Sequence, residues 1–493
     1  MSENNIDSTR VLSERSPLLP VNTSLSKDIP CSESITYSDY FNQCLQLFRL
    51  SVPVILSFVI QRLITFSSIF FIGQYLGKTE LAAASLSNMF AAITGWSLAQ
   101  SMAGVLDALC SQAFTGATDV HLVGVYLQRG ILITSAMFIP IGYVWYRAEY
   151  LLLLLDLDPL LCKLSGQFLQ VLIFGAVPFV VFECIKKYMF AQGIVKAPTY
   201  IVMVVIPFHI LFNYILVANP ATSIGFIGAP LSTVFSFWMM LILSLIYCCF
   251  IEGYKAWGGW SRKALEGWGV FIKMGIPNII MACAEWWAFE ILALGASYLG
   301  IVPLASFSVL ISVSNVYYFV YHGIAVIASN AVGNCIGDAM PNRGAFVVRC
   351  SLIISVMFAI FNTWSLLYFS RELAGIFTND QEVLELSASL LPYVASYQIF
   401  DSLTTVASGI VRGQGRPNVG AIVNFVFYYG ISIPVGFGLA FKAGCGIYGL
   451  YYGIIATLLC TGTCMSAVVL KSDWKKLVSE CQSRLINESQ SHI

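Results

Sequence analysis

Charge is what this chain of 493 residues has least of. Lys, Arg, Asp and Glu make up 11% of it, against roughly 25% in an ordinary soluble domain. A soluble protein of this length must cover a large surface with polar groups, and 58% hydrophobic residues leave too few. Soluble enzymes and disordered scaffolds are poor fits on that ground. The 26 basic and 26 acidic residues cancel to a formal net charge of zero, which leaves no basic excess for nucleic acid. Paired cysteines are lacking as well. The 14 Cys are spread through apolar runs with no CxxC pair and no Cys/His ligand spacing, so neither a disulfide frame nor a metal site is expected. There is no Gly-rich phosphate loop and no HExxH, and no cofactor is expected. Residues 1–44 are polar, with no apolar core of a signal peptide, and read as a disordered cytosolic tail.

What the chain does have is long apolar runs. A hydrocarbon core of about 30 Å needs roughly 20 apolar residues per helix. Twelve runs qualify, near 48–74, 82–108, 122–147, 164–189, 198–218, 227–250, 270–297, 302–330, 345–369, 387–411, 418–441 and 446–470. The period-two alternation of a closed barrel is missing, so the runs are helices. The expected fold is an all-α polytopic membrane protein, with twelve transmembrane helices in two pseudo-symmetric six-helix lobes. Its parts are the tail 1–44, an N-lobe 45–250, a cytosolic linker 251–269, a C-lobe 270–470 and a cytosolic tail 471–493.

Basic residues in the short loops set the orientation. With the N-terminus inside, the cytosolic side holds Arg129, Lys186, Lys187, Lys196, Lys255, Arg262, Lys263, Lys273, Arg343, Arg349, Arg412 and Arg416. The other side holds Lys78, Arg147, Lys163, Arg371 and Lys442. Both termini then face the cytosol, and the sequons at Asn22 and Asn487 stay unglycosylated.

The halves repeat weakly. Phe48–Pro53 resembles Ile272–Pro277, Ala191-Gln192-Gly193 resembles Gly413-Gln414-Gly415, and Gly225–Gly228 resembles Gly446–Gly449, in one order and at an offset near 222. An even number of spans per half gives parallel repeats, the build of transporters that rock two lobes about a cavity.

An ionisable group at membrane depth is a functional candidate by default. Arg62, Asp107, Glu285, Glu290 and Asp401 qualify, whereas Glu183 lies near a cytosolic helix end and is expected to meet water. At 1.5 Å per residue, Glu285 stands about 22 Å above residue 270 and Asp401 roughly 17 Å above Arg412. Both fall in the outer half of one lobe. Burial disfavours the ionised form of a carboxyl, and a second carboxylate nearby does so again, so such a pair can hold and release a proton. The alternative is a pair of structural carboxylates. Glu290 lies about 140° around the helix from Glu285 and suits either a cavity wall or the outer interface. Asp107 reads as structural or gating, and Arg62 as structural. Gln61 falls opposite Glu285 when Pro53 is laid on Pro277, which restricts proton chemistry to the C-lobe or makes Gln61 an interhelical hydrogen-bonding group. Trp286, Trp287, Tyr317, Tyr318, Tyr428 and Tyr429 can stack on a flat or cationic substrate, or simply pack. His322 in span 8 would be the base of an intramembrane acyltransferase, the rival from another class, but no nucleophile accompanies it.

These motifs resemble the multidrug and toxic compound extrusion (MATE) family in its eukaryotic branch. Pro277 to Met281 followed by Glu285-Trp286-Trp287-Ala288-Phe289-Glu290 is similar to the family's P-x-x-x-M-x-x-x-E-W-W-x-x-E stretch. Leu106–Phe114 is close to L-E-T-L-C-G-Q-A-Y. The resemblance covers about 45–470. It implies a proton-coupled antiporter that exports organic compounds, with Glu285, Asp401 and Glu290 as coupling acids; Gln61, Trp286, Trp287, Tyr317, Tyr428 and Tyr429 stay cavity candidates on the reading of the residues alone. Two departures stand out. Ala331 replaces the arginine of R-V-G-N-x-L-G, and Ser312 stands where some members place an acid. Sodium coupling and a lipid-linked substrate flippase are the alternatives within transport. A monomer in the bilayer is expected. In the tail, Glu14-Arg15-Ser16-Pro17-Leu18-Leu19 fits an acidic dileucine signal for sorting adaptors, with Glu14, Leu18 and Leu19 as its anchors, and points to a vacuolar or lysosome-like membrane with the plasma membrane as alternative.

Overall fold

The computed structural model describes residues 37–155 and 157–490, and all of its regular elements are helical. The spans are α1 (Tyr37–Tyr75), α2 (Lys78–Gly116), α3 (Leu122–Tyr146), α4 (Pro159–Ala191), α5 (Ala197–Ala218), α6 (Gly225–Phe250), α7 (Trp268–Leu299), α8 (Ile301–Gly337), α9 (Pro341–Tyr368), α10 (Gln381–Gly413), α11 (Pro417–Lys442) and α12 (Ile447–Leu470), followed by α13 (Trp474–Gln490). The dileucine residues Glu14, Leu18 and Leu19 lie outside the described residues. Eleven of these helices are long and apolar enough to cross a membrane. The twelfth, α10, has 33 residues and is more polar. Its polarity is turned inward: Ser387, Gln398, Ser402, Thr404 and Thr405 are all buried.

Local chemistry sets the helix ends. Asp158 accepts hydrogen bonds from the Leu160 and Leu161 amides at 2.9 and 3.0 Å, ahead of Pro159 at the first position of α4. Asp380 caps α10 the same way through the Glu382 and Val383 amides. Such caps satisfy helix-end N–H groups that have no partner inside the helix. The repeated glycines are stop signals. Gly193 after α4 and Gly415 after α10 have φ of 85° and 74°, a left-handed conformation that favours glycine.

The chain groups into two compact units. One comprises the described residues up to Ile55, then Asp107–Thr118 and the chain from Ile276; the other comprises Leu56–Leu106 and Asp119–Gly275. These divisions fall inside α1, α2 and α7, whereas the sequence placed its boundaries at 44/45, 250/251 and 269/270. In α1 and α7 the division lies beside Pro53 and Pro277, the matched prolines of the repeat.

In the first unit, α10 packs closely on α8. A Cβ at Gly409 or Gly413 would collide with the carbonyl oxygens of Ala325 or Ser329. The end of α2 belongs to this unit: Gln112 donates to the Gly413 carbonyl at 2.7 Å, and Thr115 to the Asn334 carbonyl at 2.9 Å. Asp107 is fully buried and accepts from the Asn330 amide at 3.3 Å. Residues 474–490, read from sequence as tail, form α13, which buries Leu477, Cys481 and Leu485 at helical spacing.

In the second unit, α4 packs against α3 and α6. Trp145 is sealed among Trp96 and Phe138, and its indole N–H reaches Thr94 Oγ1 at 2.8 Å. The segment read as a linker is fastened to this unit. Gln128 bonds both the Gly259 carbonyl and the Ser261 amide, Arg129 reaches the Lys263 carbonyl, and Tyr188 donates to the Gly253 carbonyl at 2.6 Å. Glu183 departs from expectation. It is 1% exposed and forms an ion pair with Lys186 at 2.7 Å. The helix runs further than the apolar pattern predicts, so both charges sit within packed α4.

Candidate functional site

The clearest convergence of polar groups is a cavity of about 150 Å³ within the first unit. Helical spacing builds each wall. On α7, Glu285 and Phe289 are four apart, as are Trp286 and Glu290, and all four line the cavity. On α8, Ser314 and Tyr318 share a face and Asn315 flanks them. Tyr397 and Asp401 face in from α10, one turn apart, and Tyr451 closes the cavity from α12. Leu292, Phe307, Leu310, Leu450 and Ile454 pack the apolar core around it. A hydrogen-bonded chain braces α10 one turn above Asp401: Asn362 donates to the Tyr321 hydroxyl at 2.7 Å, and Tyr321 donates to Gln398 at 2.8 Å. That chain links α9, α8 and α10 and fixes the azimuth at which α10 presents Asp401.

The structure thus brings Glu285, Asp401, Glu290 and Trp286 together. Glu285 and Asp401 are half-buried; Glu290 is exposed, so it belongs both to the cavity wall and to its open rim. The other candidates stand apart. Trp287 is exposed on the far side of α7. Tyr317 is half-buried, its hydroxyl 3.0 Å from Ser365. Tyr428 is the exception: buried near the Phe289 ring, it lies beside Glu285, whereas Tyr429 stacks on Phe425. Gln61 belongs to the other unit, where its amide donates to Glu183 at 3.1 Å. His322 stacks on Tyr318 at 5.6 Å. Tyr397 was missed from sequence, although it lies four residues before Asp401. Tyr451 has no such neighbour, and only packing reveals it.

A helical protein that crosses the membrane many times and gathers carboxylates in a small interior cavity has the build of a membrane transporter. Comparison with known proteins fixes which kind. The family model described as MatE matches residues 53–215 and 277–437. An uncharacterized transporter of Schizosaccharomyces pombe is 35% identical over 95% of this chain and 86% of its own length. Multidrug and toxin extrusion protein 1 of Xenopus tropicalis is 33% identical over 90% of this chain and 77% of its own, and the Homo sapiens protein of that name 30% identical over 92% and 79%. The crystal structure of the eukaryotic MATE transporter AtDTX14 superposes with a TM-score of 0.84 at 26% identity, covering 90% of this chain and 99% of that one. The chain belongs to the MATE family of transporters, with its twelve-helix, two-lobe fold.

Proposed function

We propose that this protein is a proton-coupled antiporter that moves organic compounds out of the cytosol by alternating access, with Glu285 and Asp401 as the exchanging carboxyls. The observation that carries this reading is their presence, with Glu290, around one cavity. Its size supports that role. At about 150 Å³ it is smaller than the 300–1,000 Å³ of sites for drug-sized molecules. It suits waters and protons, with the organic substrate held elsewhere. Glu290 at the rim admits the proton, and Tyr318 and Tyr397 limit solvation so that protonation changes the packing of α7, α8 and α10. One pH unit supplies about 1.36 kcal/mol per proton, and 100 mV about 2.3 kcal/mol per charge moved. Together these support accumulation well above tenfold.

The test is uptake of a cationic drug into proteoliposomes under an imposed pH gradient. Glu285→Gln and Asp401→Asn should each abolish gradient-driven uptake while equilibrium exchange persists. Full proton-driven uptake by both variants would overturn the reading, and dependence on Na⁺ at constant pH would assign coupling to sodium. A vacuolar or lysosome-like location rests on Glu14, Leu18 and Leu19 as ligands of a sorting adaptor. Replacing both leucines with alanine should move the protein to the plasma membrane.

A further inference from the structure

Another cavity of the first unit lies where α12 ends and α13 begins. It has a volume of about 630 Å³. Three cations line it from three separate stretches: Arg416 from the turn after α10, Lys471 from the end of α12, and Lys476 from α13. The transport reading uses none of them. All three lie on the side that the loop charges assign to the cytosol.

Two carboxylates also line this cavity, and both are engaged. Asp473 caps α13 by accepting from the Lys476 amide at 3.1 Å. Glu480 lies 3.9 Å from the Lys476 ammonium. Arg416 and Lys471 differ: among the described residues, neither side chain makes a hydrogen bond or an ion pair. With both carboxylates turned to Lys476, half-buried Arg416 and exposed Lys471 leave an excess of positive charge at the cavity that suits an anion. The turn that carries Arg416 is held in place, because Gln414 next to it bonds Ser472 at the cavity's other edge, at 3.2 Å.

The rest of the lining indicates what presents that anion. Cys464, Val468 and Lys471 follow one stripe of α12, so the wall passes from apolar to cationic toward the helix end. That gradient follows the passage from hydrocarbon to headgroup in a bilayer. The cavity exceeds what a lone phosphate ion needs and falls in the range of sites for larger molecules. Clusters of basic residues beside a span are also where anionic lipids of the cytosolic leaflet gather.

We propose that this cavity binds the phosphate of an anionic phospholipid headgroup, with Arg416 and Lys471 on the phosphate and the Cys464–Val468 face against the acyl chain. The site is independent of the coupling carboxyls. The experiment uses the full-length protein in phosphatidylcholine nanodiscs, titrated with short-chain phosphatidylinositol 4-phosphate. Parallel titrations use soluble inositol 1,4-bisphosphate and inorganic phosphate. Each cation removed should weaken binding on the order of fivefold, so Arg416→Gln with Lys471→Gln should lower affinity at least tenfold. Lys475→Gln, on α13 outside the cavity, should leave it within twofold. Should the double variant unfold, Lys471→Gln alone carries the test, and Lys471→Arg should restore binding. Lipid affinity unchanged in the variants, or no saturable binding by the native protein, overturns the site. Equal affinity for the soluble ester overturns the lipid as the source of the phosphate.

Discussion

At the scale of the residue, Lys186 is a charge kept inside a packed helix by its pairing with Glu183. From the sequence it is one of a Lys-Lys pair at the end of an apolar run, and it counts as a loop cation. In the structure it is 0% exposed, held by Glu183 one turn back and facing the Phe58 ring at 4.7 Å. The i,i+3 spacing was visible, but the third partner, Gln61, lies 125 residues from Lys186, and no local pattern reveals it. Breaking a buried ion pair from one side leaves a charge without a partner, at a cost of about 3–5 kcal/mol, whereas replacing both partners with apolar groups is often near neutral. Lys186→Met should therefore lower the thermal unfolding midpoint in detergent strongly. Adding Glu183→Leu to Lys186→Met should recover most of the loss. A double variant no more stable than the single one would show that the charges matter individually, not as a pair. The coupling acids were more legible. Depth follows from counting 1.5 Å per residue, and it placed Glu285 and Asp401 at one height. Azimuth does not follow, which is why Trp286 lines their cavity and Tyr428 reaches Glu285 while Tyr429 turns to Phe425.

At the scale of the element, the repeat was legible because it consists of backbone instructions. Gln192-Gly193 and Gln414-Gly415 end α4 and α10 alike, and the glycines at 225 and 446 both take positive φ where α6 and α12 begin. The family model matches twice, beginning at Pro53 and Pro277, the residues whose alignment first indicated two halves. The π-helical turns were not legible. Tyr214–Ala218 closes α5 and Gly438–Lys442 closes α11, yet a π turn adds one residue to a helix without a signature of its own. Tight helix contacts fall between these cases. Gly409 and Gly413 form a small-xxx-small pair that reads as a packing face, but only the structure names the carbonyls of Ala325 and Ser329 as what they meet. Backbone cannot yield as a side-chain tip can. Gly413→Val should cost about 1–3 kcal/mol from overpacking, and by displacing α10 it should also reduce transport. Gly430→Ala, where nothing lies within 4 Å, is the control and should stay within about 0.5 kcal/mol. Denaturation in detergent, followed by uptake, reads both effects. A Gly413→Val protein as stable as the native one would mean that α10 and α8 separate at little cost.

At the scale of the whole molecule, scarcity of charge identified the membrane, and the few charges outside the spans set the orientation. The structure changes the weight of that argument without reversing it. Lys186 and Lys187 are buried in α4 and Arg129 in α3, so none of the three acts as a loop cation. Setting them aside leaves nine basic residues on the proposed cytosolic side against five on the other. The rule counts lysines and arginines in short loops close to the span ends, and those nine still include Lys255, Arg262 and Lys263 in the segment fastened to α3. Twelve spans then return the C-terminus to the side of the N-terminus, and Asn487 in α13 should carry no glycan. A glycosylation acceptor cassette makes this measurable in a eukaryotic host. Inserted after Asn379, in the turn between α9 and α10, it should slow the protein on a gel, and an endoglycosidase should reverse the shift. Inserted after Gly259, between α6 and α7, it should leave mobility unchanged. The opposite pattern would invert the protein, place the turn carrying Arg416 on the non-cytosolic face, and remove the cytosolic access that loading of substrate from the cytosol requires.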